Sequence, residues 1–464
     1  MKRFKKNNRV NIKNKLKNKD KLIPYSRPEF YFNLLSLLII IGLGFYYGGR
    51  SFYYYSVQNS DFVKAATTLN GSITTGVQVA TTGDGLHQDT DGYYFKGNVE
   101  NNYVSYGNRL FRVIRVNNDG STKVISNDIV SEFMWGEEND YQFSNVQDWL
   151  EKQEDIQYSG IYYDTLPSPQ DFLVKTTYNI PVFDGNSVVN GKENYSDYIT
   201  TLSIKDYSNA NGKNGYLNIG KYFWLIGNDV ESNNFYVSED GSLLNGNLYE
   251  SYGVRAVLTF KTDVEISGGT GTKEDPYVIN QGNKTNYVDN YIKLGNDLWK
   301  VFYHKDGILK LAYTGYVAQE DGIVYSDSTS EFNPFDRDNI AYYLNNNLYN
   351  GFSYKDLLAD TITYTGEISS DTSLYYGNIY SNSIFSKVTL LNLFDYNNLE
   401  LDDYYLNNTT STVGSMVYIY HNYGLLEETN VDDIKNIVPV ISINETSINK
   451  NNGDGTINNP YIAG

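Results

Sequence analysis

The feature that most constrains this chain is a tail that occurs twice. Residues 252–279 read YGVRAVLTFKTDVEISGGTGTKEDPYVI, and residues 437–464 read IVPVISINETSINKNNGDGTINNPYIAG. Gly269-Thr270-Gly271-Thr272 answers Gly453-Asp454-Gly455-Thr456, and Pro276-Tyr277-Val278 answers Pro460-Tyr461-Ile462. The openings correspond too. Asn102-Tyr103-Val104 matches Asn290-Tyr291-Ile292, Gly107-Asn108 matches Gly295-Asn296, and Leu110-Phe111 matches Leu298-Trp299. Further matches follow in the same order at offsets of 181 to 194 residues. Ordered self-similarity at a near-constant offset is the signature of a duplicated unit. The chain is therefore read as two tandem repeats of about 180 residues.

Each repeat reads as short strands joined by turns. In the first, Val104, Phe111, Val113 and Val116 flank the turns Tyr106-Gly107-Asn108 and Asn117-Asn118-Asp119-Gly120. An Asp-Gly between apolar runs is a hairpin signal. Residues 146–153 (VQDWLEKQ) put Val146, Trp149 and Leu150 on one face of a short helix. Phe223-Trp224-Leu225, Phe235-Tyr236-Val237 and Val254–Phe260 are strand-like, with a turn at Glu239–Ser242. The expected class is α+β: an N-terminal transmembrane helix, then two tandem repeats rich in short antiparallel strands.

The N-terminus supplies the expected address. Residues 1–29 hold eleven Lys or Arg against Asp20 and Glu29, and the uncharged run Phe30–Tyr47 follows. As a helix that run spans roughly 27 Å, close to the hydrocarbon thickness of a bilayer. The flanking cations should stay cytoplasmic. A cleavage site of small residues does not follow directly, so the segment reads as an uncleaved signal anchor. The organisation expected is a cytoplasmic basic segment (1–29), a transmembrane anchor (30–50), a Thr/Gly/Ser-rich stalk (51–96) and two extracellular repeat domains (97–280 and 281–464).

Composition narrows the chemistry. The net charge is −18, while residues 1–29 carry +9 and Arg50 another +1, so the remainder carries −28. A surface this acidic argues against a nucleic-acid partner. The absence of cysteine excludes disulfides and a cysteine nucleophile, and the three histidines stand apart in sequence, so no catalytic or metal-ligating set is named. Residues 268–276 (GGTGTKEDP) lack the Gly-Lys-Ser/Thr ending of a phosphate loop and read as a glycine turn. Calcium is the one cofactor weighed. Asn117–Gly120, Glu239–Gly241 and Asn452–Gly455 are oxygen-rich, but none matches an EF-hand loop, and such residues also make ordinary turns.

The segments 82–97 (TGDGLHQDTDGYYFKG), 101–116 (NNYVSYGNRLFRVIRV), 223–243 (FWLIGN…NNFYVSEDGSL) and 252–279 resemble a family of bacterial surface proteins. Its members carry a Trp-rich strand, an "FYVGSDG"-like turn and then "GVRPVL". That motif order resembles the C-type-lectin-like fold. The resemblance covers residues 82–279 and, more faintly, 286–464. Arg255-Ala256 stands where the family has Arg-Pro, and the second repeat keeps the Pro (Val438-Pro439) but loses the Arg. The resemblance implies surface exposure and binding, not a reaction. Aromatic residues are the candidate ligand platform: Trp224, Tyr236 and Tyr252, with Trp149 and Trp299 assigned to the core. The function expected is binding or adhesion at the cell surface, to a glycan or a protein. Two alternatives stand beside it. One is a cell-envelope enzyme acting on glycans, which needs paired carboxylates about 5 to 10 Å apart. The other is a pilus-like spacer subunit.

Overall fold

The computed structural model describes residues 79–464, apart from residues 153–159, 185–186, 190, 192–193, 232, 283–285, 318–322, 328–331, 369–381, 411–415 and 422–424. The basic segment, the apolar span 30–50 and the stalk up to residue 78 lie outside the described residues.

The α+β expectation, and the C-type-lectin-like arrangement with it, is corrected. The described residues are mostly β-sheet with few helices. Among them the longest helical run is Ile340–Gly351, and no helix is long and apolar enough to cross a membrane. The reason lies in composition. Tyr, Val, Ile and Phe favour strands, while Gly and Asn interrupt the chain every few residues with turns. The helix foreseen at 146–153 forms only over Asn145–Leu150. Ser144 caps it by accepting from the Gln147 amide at 3.1 Å, and Val146, Trp149 and Leu150 are buried as foreseen.

Each half builds one large sheet on a shared plan. In the first, Tyr103–Tyr106, Arg109–Asn117 and Thr122–Ser126 form an antiparallel meander, and Val257–Phe260 adds to its far edge. In the second, Tyr291–Leu294, Asp297–Lys305, Ile308–Tyr313 and Val440–Asn444 do the same. The duplicated tails close both sheets. Tyr277–Ile279 runs parallel to Tyr103–Tyr106 with Tyr277 opposite Val104, and Tyr461–Ala463 runs parallel to Tyr291–Leu294 with Tyr461 opposite Ile292. The Gly-x-Gly turn before each tail is required by geometry. Gly271 and Gly455 both have φ of 82°, and their carbonyls accept from the Tyr103 and Tyr291 amides, each at 2.8 Å. A Cβ at either would meet neighbouring atoms at under 3 Å. These glycines shape a turn whose polar groups serve the sheet.

A second sheet in each half follows the duplication. Phe223–Asp229, Asn234–Val237 and Leu243–Gly246 form a meander, as do Tyr404–Thr410, Met416–His421 and Leu425–Asn430. The closing run foreseen at Val254–Phe260 divides at Arg255-Ala256. Ser251–Val254 joins this second sheet, while Val257–Phe260 joins the large one. Arg255 is fully buried at the division and donates to the carbonyls of Ser126, Asn127 and Leu217. Residues 85–96, assigned to the stalk from sequence, instead form the hairpin Gly85–Asp89/Gly92–Lys96, paired to Arg109–Asn117.

The halves meet through side chains rather than shared sheets. Arg109 donates to Asp289 at 2.5 Å and to Thr165 at 2.9 Å, with its guanidinium 5.0 Å and 4.1 Å from the Tyr162 and Tyr396 ring centroids. Burial alone would lower its pKa, but the Asp289 charge raises it above the ordinary arginine value. Trp149 Nε1 donates across the junction to the Phe394 carbonyl at 2.9 Å.

Candidate functional site

The sequence-derived site residues come together, but with different roles. Trp224 lies in Phe223–Asp229, a strand buried at every position, and is itself fully buried. It cannot touch a ligand in this conformation. It supports those that can: its ring lies edge-on to Tyr252 at 4.7 Å and to Tyr236 at 6.3 Å. Tyr236 stacks on Tyr252 at 4.3 Å and 28°. Tyr252 in turn stacks on Tyr222 at 5.7 Å and 18°, and Tyr222 is 41% exposed. Gly253 permits this ladder. A Cβ there would sit 2.7 Å from the Tyr222 carbonyl and 2.4 Å from Ile129, so a side chain would push the two tyrosine-bearing strands apart.

The outer end of the ladder opens into a cleft of about 860 Å³ between the halves. Tyr222, Tyr252 and Glu132 line it from the first half; Asn398, Glu400 and Tyr420 line it from the second. Tyr420 is held by stacking on Tyr404 at 5.6 Å and 11°. Asp128, Glu239 and Glu400 add carboxylates to the lining, and Lys221, the one lysine of the lining among the described residues, pairs with Asp128 at 3.0 Å.

Glu132 is the most perturbed of these acids. Burial carries its pKa from 4.5 up to about 7, with Lys221 pulling weakly the other way. A buried carboxyl disfavours its charged form because the surroundings solvate charge poorly. Among the described residues, its Oε2, the Ser251 hydroxyl and the Asn398 side-chain oxygen are buried with no hydrogen-bond partner. Burying such atoms unpaired costs about 1–3 kcal/mol each. All three belong to residues that line the cleft.

Sequence reasoning missed Tyr222, Glu132, Asn398 and Tyr420. Tyr222 carried a signal, two residues before Trp224 and so on the same side of an extended chain. The others carried none, because the junction brings together residues nearly 300 positions apart.

The oxygen-rich turns weighed for calcium are internally engaged. Asp119 Oδ1 accepts from the Ser121 amide and hydroxyl at 2.9 and 2.6 Å. Asp240 binds Ser238 and Ser242, and Asp454 Oδ1 accepts from the Thr456 amide at 3.0 Å. Among the described residues no three His, Asp or Glu side chains are grouped to hold a metal ion. His87 Nε2 bonds the Gly83 carbonyl, and His304 Nε2 bonds Glu445 at 2.9 Å.

Comparison with protein families, curated proteins and solved structures finds no match to this chain.

Proposed function

We propose that the chain is a surface-displayed, glycan-binding protein, tethered through the apolar span 30–50, and that the inter-half cleft is its binding site. One observation carries the reading: a stacked tyrosine wall on a cleft that Glu132, Ser251 and Asn398 also line. A sugar ring has an apolar C–H face and a rim of hydroxyls. The exposed face of Tyr222 suits the first, while Glu132, Ser251 and Asn398 suit the second. A protein ligand would more often bury an aromatic or Arg anchor in such a cleft. The acidic surface again disfavours nucleic acid.

The experiment is a glycan array probed with the full chain and with Tyr222→Ala. Selective binding, lost in the variant, supports the proposal. Wild-type silence across the array, with capture of a protein ligand instead, overturns the glycan reading.

A second reading rests on the Glu132 carboxyl. An acid poised near neutrality in a cleft with other carboxylates is the arrangement of a glycosidic general acid. Release of reducing sugar from a bound glycan, abolished by Glu132→Gln, would move the protein from binder to enzyme. Binding without product keeps it a binder.

A further inference from the structure

Arg109 and Asp297 occupy the same place in the two halves. Each follows the repeated Gly-Asn turn and begins the second strand of its meander. In the first half that place is covered by the second half, through Asp289 and Tyr396. In the second half the charge is reversed, and a pocket of about 480 Å³ opens there instead. Its walls are Asp297, Trp299, Tyr313, Tyr316, Tyr343 and Phe352, and among the described residues no lysine, arginine or histidine lines it.

The walls are held in place. Trp299 lies 5.2 Å from Tyr313 and edge-on to Phe352 at 5.9 Å and 80°. Tyr316 donates to the Asp402 carbonyl and accepts from the Asp402 amide, both at 2.8 Å. Tyr343 begins the π-helical turn Tyr343–Leu348, a rare conformation that frequently marks functional sites. Asp297 Oδ2 accepts from the Tyr354 hydroxyl at 2.6 Å, which fixes the carboxylate at the pocket.

Four accessible aromatic rings backed by the buried Trp299, with one carboxylate and no cation among the described residues, select by charge and by hydration. An anion meets Asp297 and the negative faces of the rings. A neutral apolar ligand gains nothing from the carboxylate. A compact ammonium must give up strong hydration to enter. A quaternary ammonium is weakly hydrated and is the class that aromatic cages recognise. The volume lies in the range of small-ligand sites.

We propose that this pocket binds a quaternary ammonium group of the choline class. The test is calorimetric titration of the full chain with choline, phosphocholine and the uncharged isostere 3,3-dimethylbutanol, with phosphatidylcholine vesicles as a separate arm. Choline should bind, and the isostere should bind on the order of tenfold more weakly. Asp297→Asn, which keeps an acceptor for Tyr354, and Tyr316→Ala should each weaken choline by a similar factor, with circular dichroism unchanged. Vesicle binding that free choline displaces identifies a lipid headgroup; binding of the free compounds without vesicle binding identifies a soluble ligand. Both outcomes support the proposal. Equal binding of the isostere overturns it, as does absence of choline binding by the folded wild type.

Discussion

Arg109→Ala is the perturbation that most sharply tests how the halves are joined. The guanidinium is buried, sits between the rings of Tyr162 and Tyr396, and donates to Asp289, whose side chain is only 11% exposed. Removing one partner of a buried ion pair strands the other charge and costs about 3–5 kcal/mol. The ring contacts add about 1 kcal/mol. A second ion pair across the junction among the described residues, Lys305–Asp164, is half exposed on the lysine side, and such pairs contribute about 0–1 kcal/mol. Of these two ion pairs, Arg109–Asp289 is therefore the stronger. Domain stabilities are about 5–15 kcal/mol, so the loss is large enough to uncouple the halves. The assay is equilibrium urea unfolding followed by tryptophan fluorescence, since Trp149 bonds Phe394 across the junction. Arg109→Ala should lower stability by about 4 kcal/mol or split one transition into two. Arg109→Ala/Asp289→Ala should recover part of that loss, because no charge remains stranded. A single variant within 1 kcal/mol of wild type, or a double variant as costly as the two singles summed, would refute the reasoning.

Three further predictions concern stability. Glu151 is buried, and burial carries its pKa from 4.5 up to about 7. The folded state then holds a proton that the unfolded state releases, so stability falls as pH rises from about 4.5 to 7, by at most about 3.5 kcal/mol at about 1.4 kcal/mol per pH unit; Glu132 adds a slope of the same sign, so Glu151→Gln should reduce, by about half, the fall in melting temperature between pH 5 and 8, and an unchanged pH slope would contradict the assignment. Arg255→Ala leaves the buried carbonyls of Ser126 and Leu217 short of a donor, and urea unfolding should show a loss of about 2–5 kcal/mol; a loss under 1 kcal/mol would mean that water replaces the guanidinium freely. Gly271→Ala and Gly455→Ala should each cost about 2 kcal/mol or more, from left-handed strain plus the close contacts, and thermal melts showing one tolerated and the other not would deny that the two turns do the same job.

The duplication was legible because turns and closing strands are local features. Gly-x-Gly before Pro-Tyr needs positive φ and a closing strand wherever it falls, so both tails could be read from residues alone. The class was harder. Val146, Trp149 and Leu150 have helical spacing, yet the helix they begin ends after six residues, so a correct local signal overstated the helical share of the fold. The stalk assignment failed at residues 85–96 because a Gly-rich hairpin resembles a linker until a partner strand covers it. The three aromatic residues singled out from the sequence pack against one another, but Trp224 among them is buried. Phe223–Asp229 is covered on both faces, so alternation could not tell Trp224, which supports, from Tyr222, which faces the cleft. Glu132 and Tyr420 were invisible because their significance exists only where the two halves meet.

The central claim is that both halves together form one glycan site. The most direct measurement is the affinity of an array-selected glycan for two folded variants, Tyr252→Ala from the first half and Tyr420→Ala from the second. The account predicts that each weakens binding on the order of tenfold, equivalent to about 1.4 kcal/mol. If Tyr420→Ala binds as wild type while Tyr252→Ala does not, the site belongs to the first half alone; if both bind as wild type, the cleft is not the site.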